Sequence, residues 1–573
     1  MKPLQSPVGF PVSNYTPYGY LDNPYHSMVH NRSGVIRSVP PLGFGFWKRQ
    51  FRGSYGEGPR GYVNYLSLLQ ISVTIDTTRF IETDDFTKYG VKLYSAYHSK
   101  NIMSYDWRHE GVVFSLKYFL PRENSLVCLA EIENLSGAEK KIVVQVTNIY
   151  GLWETKWWGS NGLTAHYDPD MDAIVSKIWA YGDVFILAAD WHSIARYATG
   201  SRKEWREWQC NGVKENRIRQ IIKGPGPLYN VLHYELVLPP GSSKSGMVYL
   251  CRGKNEEWAR AQLSVTRNRA LDVLKQQLAL DEQFWSQCPK LVGDWPLSWK
   301  HGWVYDWETL RMNIRRPIGI FKHPWDAMQV HSPRVVLGET ALDMLTMSYA
   351  NPKLAKEVLF GTFADALAPN VPCAREDGSV NMIGADGSEC GTAPMWGFPF
   401  HVIQTPYEAT GDTVWLKQLY PHLKAYLRWW LENRTDEEGW FHCNNSWESG
   451  QDGSRRFLVK GEGDPAEFVR TVDVEASMAE AMLIMKKFAP IAGNSADTTL
   501  WHNLARRRVQ NTRSMFFKGK FRDVDGRNKQ PIILRDFYDV MFLSPLTCGI
   551  ATEEQMKAVK PLFRFYMGNP FWL

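Results

Sequence analysis

The hydrophobic period of the sequence changes near residue 265, and this change constrains the fold more than any other feature. Before it, short runs rich in Val, Ile, Tyr and Phe are separated by clusters of Asn, Gly, Pro and Ser, which predicts β-strands joined by turns. After it, apolar residues recur every three or four positions, which predicts helices. A chain of 573 residues is also too long for one ordinary core. We therefore expect a multidomain β + α protein.

The pattern divides the chain into four segments. We predict an irregular N-terminal arm packed on the β-domain (1–60), an antiparallel β-sandwich (61–265), a helical linker (266–300) and a helical domain (301–573). Within the sandwich, strands are predicted at 65–75, 112–119, 126–132, 141–147, 173–179, 184–188 and 229–238. Beyond it, helices are predicted at 303–315, 325–336, 340–349, 354–367, 394–408, 414–433, 472–488, 498–517 and 553–566.

The loops between these helices alternate in character. Short connections alternate with long, polar, glycine-rich ones such as 377–391 and 439–464. Helical hairpins closed into a ring would produce this alternation, and their long loops would gather at one mouth. We therefore expect an (α/α)6 toroid in which Trp325, Asp326 and Asp452 converge. The clearest helix carries a single apolar stripe formed by Leu416, Leu419, Leu423, Leu427 and Trp430.

A polar segment after that helix is the strongest functional signal. Residues 443–457 contain Trp447, Glu448, Asp452, glycines and hydroxyls, and no apolar period runs through them. We predict a structured loop on a rigid helix, which is where catalytic side chains usually lie. The alternative is a surface loop whose Asp and Ser side chains bond to their own backbone.

Composition excludes several other classes. The formal charge of +6 is small for this length and its Lys and Arg residues are interspersed with acids, which argues against nucleic acid as a partner. The eight cysteines are scattered, so we expect no metal centre, no cofactor and no dense disulfide framework. The first thirty residues lack a signal-peptide pattern, and no apolar run reaches about 18 residues. The prediction is a cytoplasmic protein that does not cross a membrane.

Three motifs in order resemble the six-hairpin glycosidases. They are Trp-Asp at 325–326, Trp-Glu-Ser-Gly-x-Asp-x-Ser at 447–454 after a Trp-Trp helix, and Thr-Val-Asp-Val-Glu-Ala at 471–476. The chain resembles the processing-glucosidase and mannosylglycerate-hydrolase group, glycoside hydrolase family 63 and its trehalase relatives. The resemblance covers about residues 300–573 and is only architectural over the β-domain. It implies an (α/α)6 toroid with glycosidase activity.

The resemblance also implies roles for particular residues. Asp452 matches the family's general acid, and Trp325 with Asp326 matches residues that line the sugar-binding subsite. The predicted substrate-binding residues are Trp325, Asp326, Trp396, Trp447, Glu448 and Asp473. Trp447 and Glu448 are also expected to raise the pKa of Asp452, by desolvation or by negative charge.

Two departures from the family pattern predict a different specificity. Gly453 stands where the family usually has Asn, and 392–394 reads Thr-Ala-Pro where the family has Gln-Pro-Pro. The second change removes a substrate-orienting amide.

Inverting hydrolysis needs a second carboxylate about 6.5–9.5 Å from the acid, across the sugar. The family's glutamate base lies in a later segment, and no residue of this chain matches it. We therefore expect an incomplete toroid that lacks its last helices, no carboxylate opposite Asp452, and little or no hydrolytic activity of this chain by itself. Glu475 and Asp473 are alternative bases, although an acidic first helical turn is expected for stability alone.

The sequence thus predicts an inverting glycoside hydrolase that acts on an α-linked gluco- or manno-configured oligosaccharide or glycoside. One alternative is a sugar epimerase or polysaccharide lyase on the same toroid, with proton transfer by histidine or tyrosine. Another is a carbohydrate-binding protein without catalysis. Fold alone does not decide among them, and the sugar, the linkage and the oligomeric state do not follow from the sequence.

Overall fold

The computed structural model describes residues 69–573 apart from 82, 123, 151–160, 180–181, 192–194, 225–227, 329–333, 377, 379, 381–396, 536 and 569–573. Of the first 68 residues it describes six short strands: Phe10–Pro11, Gly19–Leu21, Val29–Asn31, Gly43–Phe44, Lys48–Gln50 and Tyr62–Asn64. The chain divides into two compact units, Met1–Met312 and Asn313–Leu573. The first is rich in strands and the second in helices, which confirms the predicted order.

The strands of the first unit form two antiparallel sheets. In order across the sheet, the larger one consists of Phe10–Pro11, Tyr94–Ser95, Ile102–His109, Val112–Arg122, Ser125–Asn134, Ser243–Gly253, Val184–Ala189, Ala173–Ile178, Asn161–Asp168 and Ile221–Gly224. The smaller one consists of Ala195–Ser201, Leu228–Leu238, Lys140–Tyr150, Leu69–Ile75 and Gly43–Phe44, with Thr78–Phe80 paired to Leu69–Ile75.

Buried side chains from both sheets form one hydrophobic core. Ile71 and Val73 from the smaller sheet belong to the same cluster as Phe114, Leu116 and Leu250 from the larger one. Residues 112–116 alternate between buried and partly exposed positions, as expected for a strand with one face on a core. Two antiparallel sheets sharing a core form a sandwich, as predicted.

Several longer elements of this unit were not predicted. The missed strands are Ile102–His109, Asn161–Asp168, Ala195–Ser201 and Ser243–Gly253, and the missed helix is Arg202–Asn211. The strands contain charged or small residues that interrupt the apolar runs on which the prediction relied. The helix is mostly polar, but it buries Trp205 and Trp208 against sheet residues such as Tyr229. Tertiary packing therefore decided these elements.

The helices are named α1 to α12 in chain order. The first unit contains α1 (Thr83–Lys88), α2 (Arg202–Asn211), α3 (Glu256–Gln287) and α4 (Leu297–Asn313), the last of which ends where the second unit begins. The second contains α5 (Leu337–Met347), α6 (Pro352–Ala364), α7 (Phe398–Thr410), α8 (Thr413–Asn433), α9 (Val472–Ile491), α10 (Asp497–Ser514), α11 (Ser544–Thr547) and α12 (Glu553–Met567), with 3-10 turns at Arg455–Phe457 and Val540–Leu543. No helix in the described part of the chain has the length and apolar character needed to cross a membrane.

Short strands complete the list of elements. Gly19–Leu21 pairs with Val29–Asn31, and Lys48–Gln50 pairs with Tyr62–Asn64. In the second unit the pairs are Ile314–Arg315 with Trp325–Asp326 and Phe516–Phe517 with Lys520–Phe521, and a three-stranded sheet is formed by Val469–Arg470, Val524–Asp525 and Gln530–Pro531.

A buried polar network fixes α3 and α4 within the first unit. Asp281 of α3 accepts a hydrogen bond from the Tyr97 hydroxyl at 2.9 Å, and Arg311 Nη1 of α4 lies 2.8 Å from Asp281. Glu308 lies 3.2 Å from Arg311 and accepts from Trp285 Nε1 at 2.6 Å. Both carboxylates are thus compensated by a cation and by neutral donors, as buried charges require.

The predicted helix at 325–336 is wrong. Trp325–Asp326 is a two-residue strand paired with Ile314–Arg315, and α5 begins only at Leu337. The predicted interval contains Pro333, which lacks the backbone N–H that a helix interior needs. Val336 just before α5 has extended dihedrals, which suit a β-branched residue. Trp325 and Asp326 therefore do not open a helix.

Helix α8 agrees with its prediction. It was expected at 414–433 and spans Thr413–Asn433. The members of its apolar stripe are all completely buried: Leu416, Leu419, Leu423, Leu427 and Trp430. This helix ends at Asn433, ten residues before the polar loop begins at Cys443.

Replacement of Leu423 by Ala should destabilise the helical unit by about 2–5 kcal/mol, because it leaves a cavity in the buried stripe. Val414→Ala on the same helix is the matched control, since Val414 is 64% exposed and its truncation should cost less than about 0.5 kcal/mol. Thermal unfolding followed by circular dichroism compares the two variants. Equal effects would show that the stripe does not carry the packing of α8.

Candidate active site

Residues 443–466 form a loop whose two arms are bonded to each other. The backbone N–H of Ser446 donates to the carbonyl of Asp464 at 2.9 Å, and that of Ala466 donates to the carbonyl of Asn444 at 3.0 Å. These bonds close the loop at its base. The predicted structured loop is therefore present.

Trp447 packs on the backbone of this same loop. Gly463 has φ of +79°, and a Cβ built on it would lie 3.1 Å from the Trp447 indole. Only glycine fits both the left-handed backbone and this close approach. The Gly463 N–H also donates to Ser446 Oγ at 2.8 Å. Trp447 is half-buried and holds the loop together, and its predicted contact with substrate stays a prediction.

Arg456 anchors the loop to the rest of the helical unit. Its guanidinium is completely buried and donates to Asp473 at 2.7 Å, to Asp523 at 2.8 and 2.9 Å, and to Gln451 Oε1 at 3.0 Å. Gln451 Nε2 in turn donates to Asp539 at 3.0 Å. Gln451 directly precedes Asp452, so this network fixes the backbone of the predicted acid.

Glu448 lies inside the loop rather than in a pocket. It is completely buried and accepts from Arg434 Nε at 2.9 and 3.0 Å. Its oxygen Oε2 also accepts from the backbone N–H of Asn444. Arg434 directly follows α8, so this ion pair ties the loop to the end of that helix. The placement of Glu448 favours a structural role.

The two acids at the start of α9 are also bonded to arginines. Asp473 is 1% exposed and bonded to Arg456. Glu475 is completely buried, lies 3.3 Å from Arg508 and accepts from the Phe441 N–H at 2.7 Å. Both placements favour internal ion pairs over substrate binding by Asp473 or base catalysis by Glu475.

Trp325 is packed among protein groups. It is 1% exposed, stacks on Phe321 with ring centroids 4.4 Å apart, and donates from Nε1 to the carbonyl of Arg316 at 3.1 Å. The Arg315 guanidinium lies 5.8 Å from its ring centroid. These contacts favour support of its neighbour Asp326 over direct stacking on a sugar. Trp396, predicted to bind substrate, lies outside the described residues.

Asp452 differs from the acids bonded to arginine. Its side chain is half-buried, and burial raises its pKa, with a further increase from the negative charge of Glu462. Sequence reasoning expected the charge of Glu448 to act here. Glu448 is instead compensated by Arg434, and the effective charge comes from the other arm of the loop.

Asp326 is a buried acid with a strongly raised pKa and no bond to arginine among the described residues. Burial, followed by the charge of Asp343, raises its pKa to about 8. The next residue, Ala327, donates its N–H to the carbonyl of Asn313 at 2.9 Å, and the Asn313 side chain donates to Asp343 at 3.2 Å. Asn313 therefore holds Asp326 and Asp343 close together.

The negative charges of both Asp343 and Asp452 act on Glu339. Burial raises the pKa of Glu339, and the charges of Asp343 and Asp452 raise it further, while the Arg334 charge opposes them. Glu339 and Asp343 are four residues apart on α5 and so lie on one face of the helix. Sequence reasoning missed both residues, and this i, i+4 acid pair was the only local signal.

Among the described residues, one group has the spacing of a metal site. His166, Asp168 and Glu256 have ligand atoms within 4.8 Å of one another. Both carboxylates accept hydrogen bonds from Arg260, which offsets part of their charge. This group lies in the first unit, apart from the acids of the second.

Part of the helical unit is similar in sequence to a glycosidase family. Residues 399–564 match the family model described as the mannosylglycerate hydrolase MGH1-like glycoside hydrolase domain. The matched segment contains Asp452, its loop and the network around Arg456. The match confirms the predicted similarity to glycosidases and the prediction of a glycosidase. A search of curated protein sequences found no match.

Solved structures are similar to the chain in fold. A proposed kojibiose phosphorylase from the human microbiome has a TM-score of 0.54 at 11% identity, over 98% of this chain and 81% of that chain. A family 63 mannosylglycerate hydrolase from Thermus thermophilus in complex with glucose has a TM-score of 0.37 at 18% identity. This match covers 46% of the present chain and 76% of the hydrolase chain. A bacterial glucoamylase complexed with acarbose has a TM-score of 0.49 at 10% identity. This match covers 86% of the present chain and 66% of the glucoamylase chain. The first similarity supports the predicted fold class, a β-rich region followed by a helical toroid.

Arg456→Met should destabilise the helical unit by roughly 3–5 kcal/mol, because it leaves Asp473 and Asp523 buried without their cation. The adjacent Arg455 is exposed, so Arg455→Met is the matched control and should change stability by less than about 0.5 kcal/mol. Denaturant unfolding of both variants measures the difference. Similar stability of the two would contradict the anchoring role of Arg456.

Asp326→Asn should make the protein more stable than the wild type, and the gain should grow as pH rises from 5 to 8. The folded state keeps the Asp326 proton up to about pH 8, whereas the unfolded chain releases it near 3.8, so the wild type loses stability as pH rises through this window. The upper limit is about 1.4 kcal/mol per pH unit. The test is the thermal unfolding midpoint of the wild type and of Asp326→Asn, measured between pH 5 and 8. Glu357→Gln, at an exposed site, is the control. A gain that does not depend on pH would refute it.

Proposed function

We propose that the chain is an inverting glycoside hydrolase that cleaves α-linked gluco- or manno-configured oligosaccharides or glycosides, with Asp452 as its general acid. The observation that carries the proposal is the environment of Asp452. Its half-buried carboxyl has a raised pKa and lies in the segment that matches a glycoside hydrolase family.

A general acid must hold a proton when substrate binds and must lie at a fixed position. Burial and the charge of Glu462 favour the protonated form of Asp452. The bonds of Gln451 to Arg456 and Asp539 fix the preceding residue, and the bonds between the loop arms fix the base of the loop. Asp452 therefore combines a carboxyl whose pKa is raised with a backbone held by the loop contacts.

In the proposed reaction, Asp452 gives its proton to the glycosidic oxygen as the bond from that oxygen to the anomeric carbon breaks. A water molecule attacks the opposite face of the carbon and loses its proton to a base, so an α-linked substrate first gives a β-configured product. The name of the matching family, mannosylglycerate hydrolase, supports a manno-configured sugar. The resemblance of the Glu-Ser-Gly-x-Asp motif supports the acid role.

In assays with azide, which attacks the anomeric carbon in place of base-activated water, Asp452→Asn should lower turnover of α-linked glucose and mannose disaccharides by about 10²–10⁴-fold, because the leaving oxygen then receives no proton. Turnover of α-glycosyl fluorides should change little, since fluoride leaves without protonation. Assays with and without azide cover the case in which a base carboxylate is lacking, because azide attacks the anomeric carbon directly. NMR should show a β-configured first product.

Asp272→Asn, at an exposed position of α3, is the control and should leave every rate unchanged. Full disaccharide activity of Asp452→Asn would exclude Asp452 as the acid. An α-configured first product would exclude inversion, and an unsaturated uronic acid would place the chain among lyases.

A further inference from the structure

Two partly buried acids of α5 lie close to Asp326, and neither forms an ion pair with a lysine or arginine among the described residues. Glu339 and Asp343 share one face of the helix, and Asn313 holds Asp343 close to the strand of Asp326. Arg334 is the cation whose charge acts on Glu339. We define Asp326, Glu339 and Asp343 as the acidic cluster.

Two oxygens of the acidic cluster have no hydrogen-bond partner within the described part of the chain. Asp326 is 1% exposed and its Oδ1 is shielded from solvent without a partner, next to the charges of Asp343 and Glu339. Glu339 Oε2 is likewise shielded and without a partner. Native proteins rarely leave such groups unsatisfied, because each one loses its bonds to water and gains none in return. A ligand that donates hydrogen bonds would satisfy both.

The geometry favours a sugar over a metal ion. The His, Cys, Asp and Glu groups whose ligand atoms lie close enough together for a metal do not include the acidic cluster, within the described residues. Neighbouring hydroxyls of a sugar ring present several donors at wider spacing, and ionised carboxylates only accept. An anionic ligand would be repelled by Glu339 and Asp343 in their ionised forms, whereas Asp326, whose raised pKa of about 8 retains its proton at neutral pH, would add a hydrogen-bond donor.

We propose that Glu339 and Asp343, together with Asp326, bind the hydroxyl groups of a neutral sugar ring and exclude anionic sugars. This inference rests on the proposed function, because the negative charge of the proposed acid Asp452 acts on Glu339. It adds two specificity-determining residues to a site for which the family resemblance named only Asp326 at this position. It also restricts the substrate class to sugars without a carboxylate or phosphate at the ring that binds here.

The test is binding of glucose, mannose and glucuronate to the full chain, measured by calorimetry or ligand-observed NMR. The wild type should bind glucose or mannose about 10-fold or more tightly than glucuronate. Glu339→Gln and Asp343→Asn should each weaken binding of the neutral sugar by about 10-fold. They should also lower the ratio of the affinity for the neutral sugar to the affinity for glucuronate. Glu357→Gln, on the exposed side of α6, should change neither affinity.

Thermal unfolding separates binding from folding. Removal of an unsatisfied buried acid should not lower the midpoint, so Glu339→Gln should unfold at or above the wild-type temperature. Equal affinity of the wild type for glucose and glucuronate would overturn the proposal, as would unchanged binding in both variants. Loss of turnover in Glu339→Gln without loss of binding would overturn it in favour of a role in the reaction itself. These measurements are independent of Asp452→Asn, so failure of the hydrolase proposal would be seen separately.

Discussion

The buried guanidinium of Arg456 is the interaction on which the candidate site depends. A buried ion pair costs several kcal/mol of desolvation per charge and is tolerated only when its hydrogen bonds are satisfied. Arg456 meets this condition by donating to two carboxylates and one amide. Its partners come from the start of α9, from the segment before Val524–Asp525 and from the loop itself. The loop carrying Asp452 is therefore held by contacts distant in sequence.

Two kinds of acid can be distinguished among the described residues. Buried acids with an arginine partner include Asp168, Asp281, Glu308, Glu448, Asp473, Glu475, Asp523 and Asp525. Asp326 and Glu339 instead keep oxygens without a partner in the described structure. The first kind stabilises the fold, since loss of the cation would leave a charge in a medium of low dielectric. The second kind lowers the stability of the fold until a ligand supplies the missing hydrogen bonds. Such a loss of stability in exchange for function is common at binding sites.

Sequence patterns predicted the parts of the fold and of the site that are decided locally. Helix α8 has an unbroken apolar stripe, and its bounds were predicted to within one residue, whereas Ser243–Gly253 was missed because polar and small residues interrupt its apolar run. Residues 443–457 were marked because a run of carboxylates, glycines and hydroxyls has no period. The sequence could not predict which buried acids form an ion pair with arginine. Glu475 and Arg508, for example, lie 33 residues apart in the chain and come into contact only after folding. Glu339 was missed because an acid pair four residues apart on a helix usually marks a solvent-facing surface, and only burial distinguishes it.

The position of Asp452 and the negative charge that acts on its carboxyl depend on different residues. Asp452 is positioned by the buried network around Arg456, whereas the charge that favours its proton comes from Glu462, an exposed residue on the other arm of the loop. A substitution at Glu462 would alter the charge and leave the anchoring bonds of the loop intact. Natural variation at this one surface position could therefore shift the working pH of related chains step by step, with little penalty in folding.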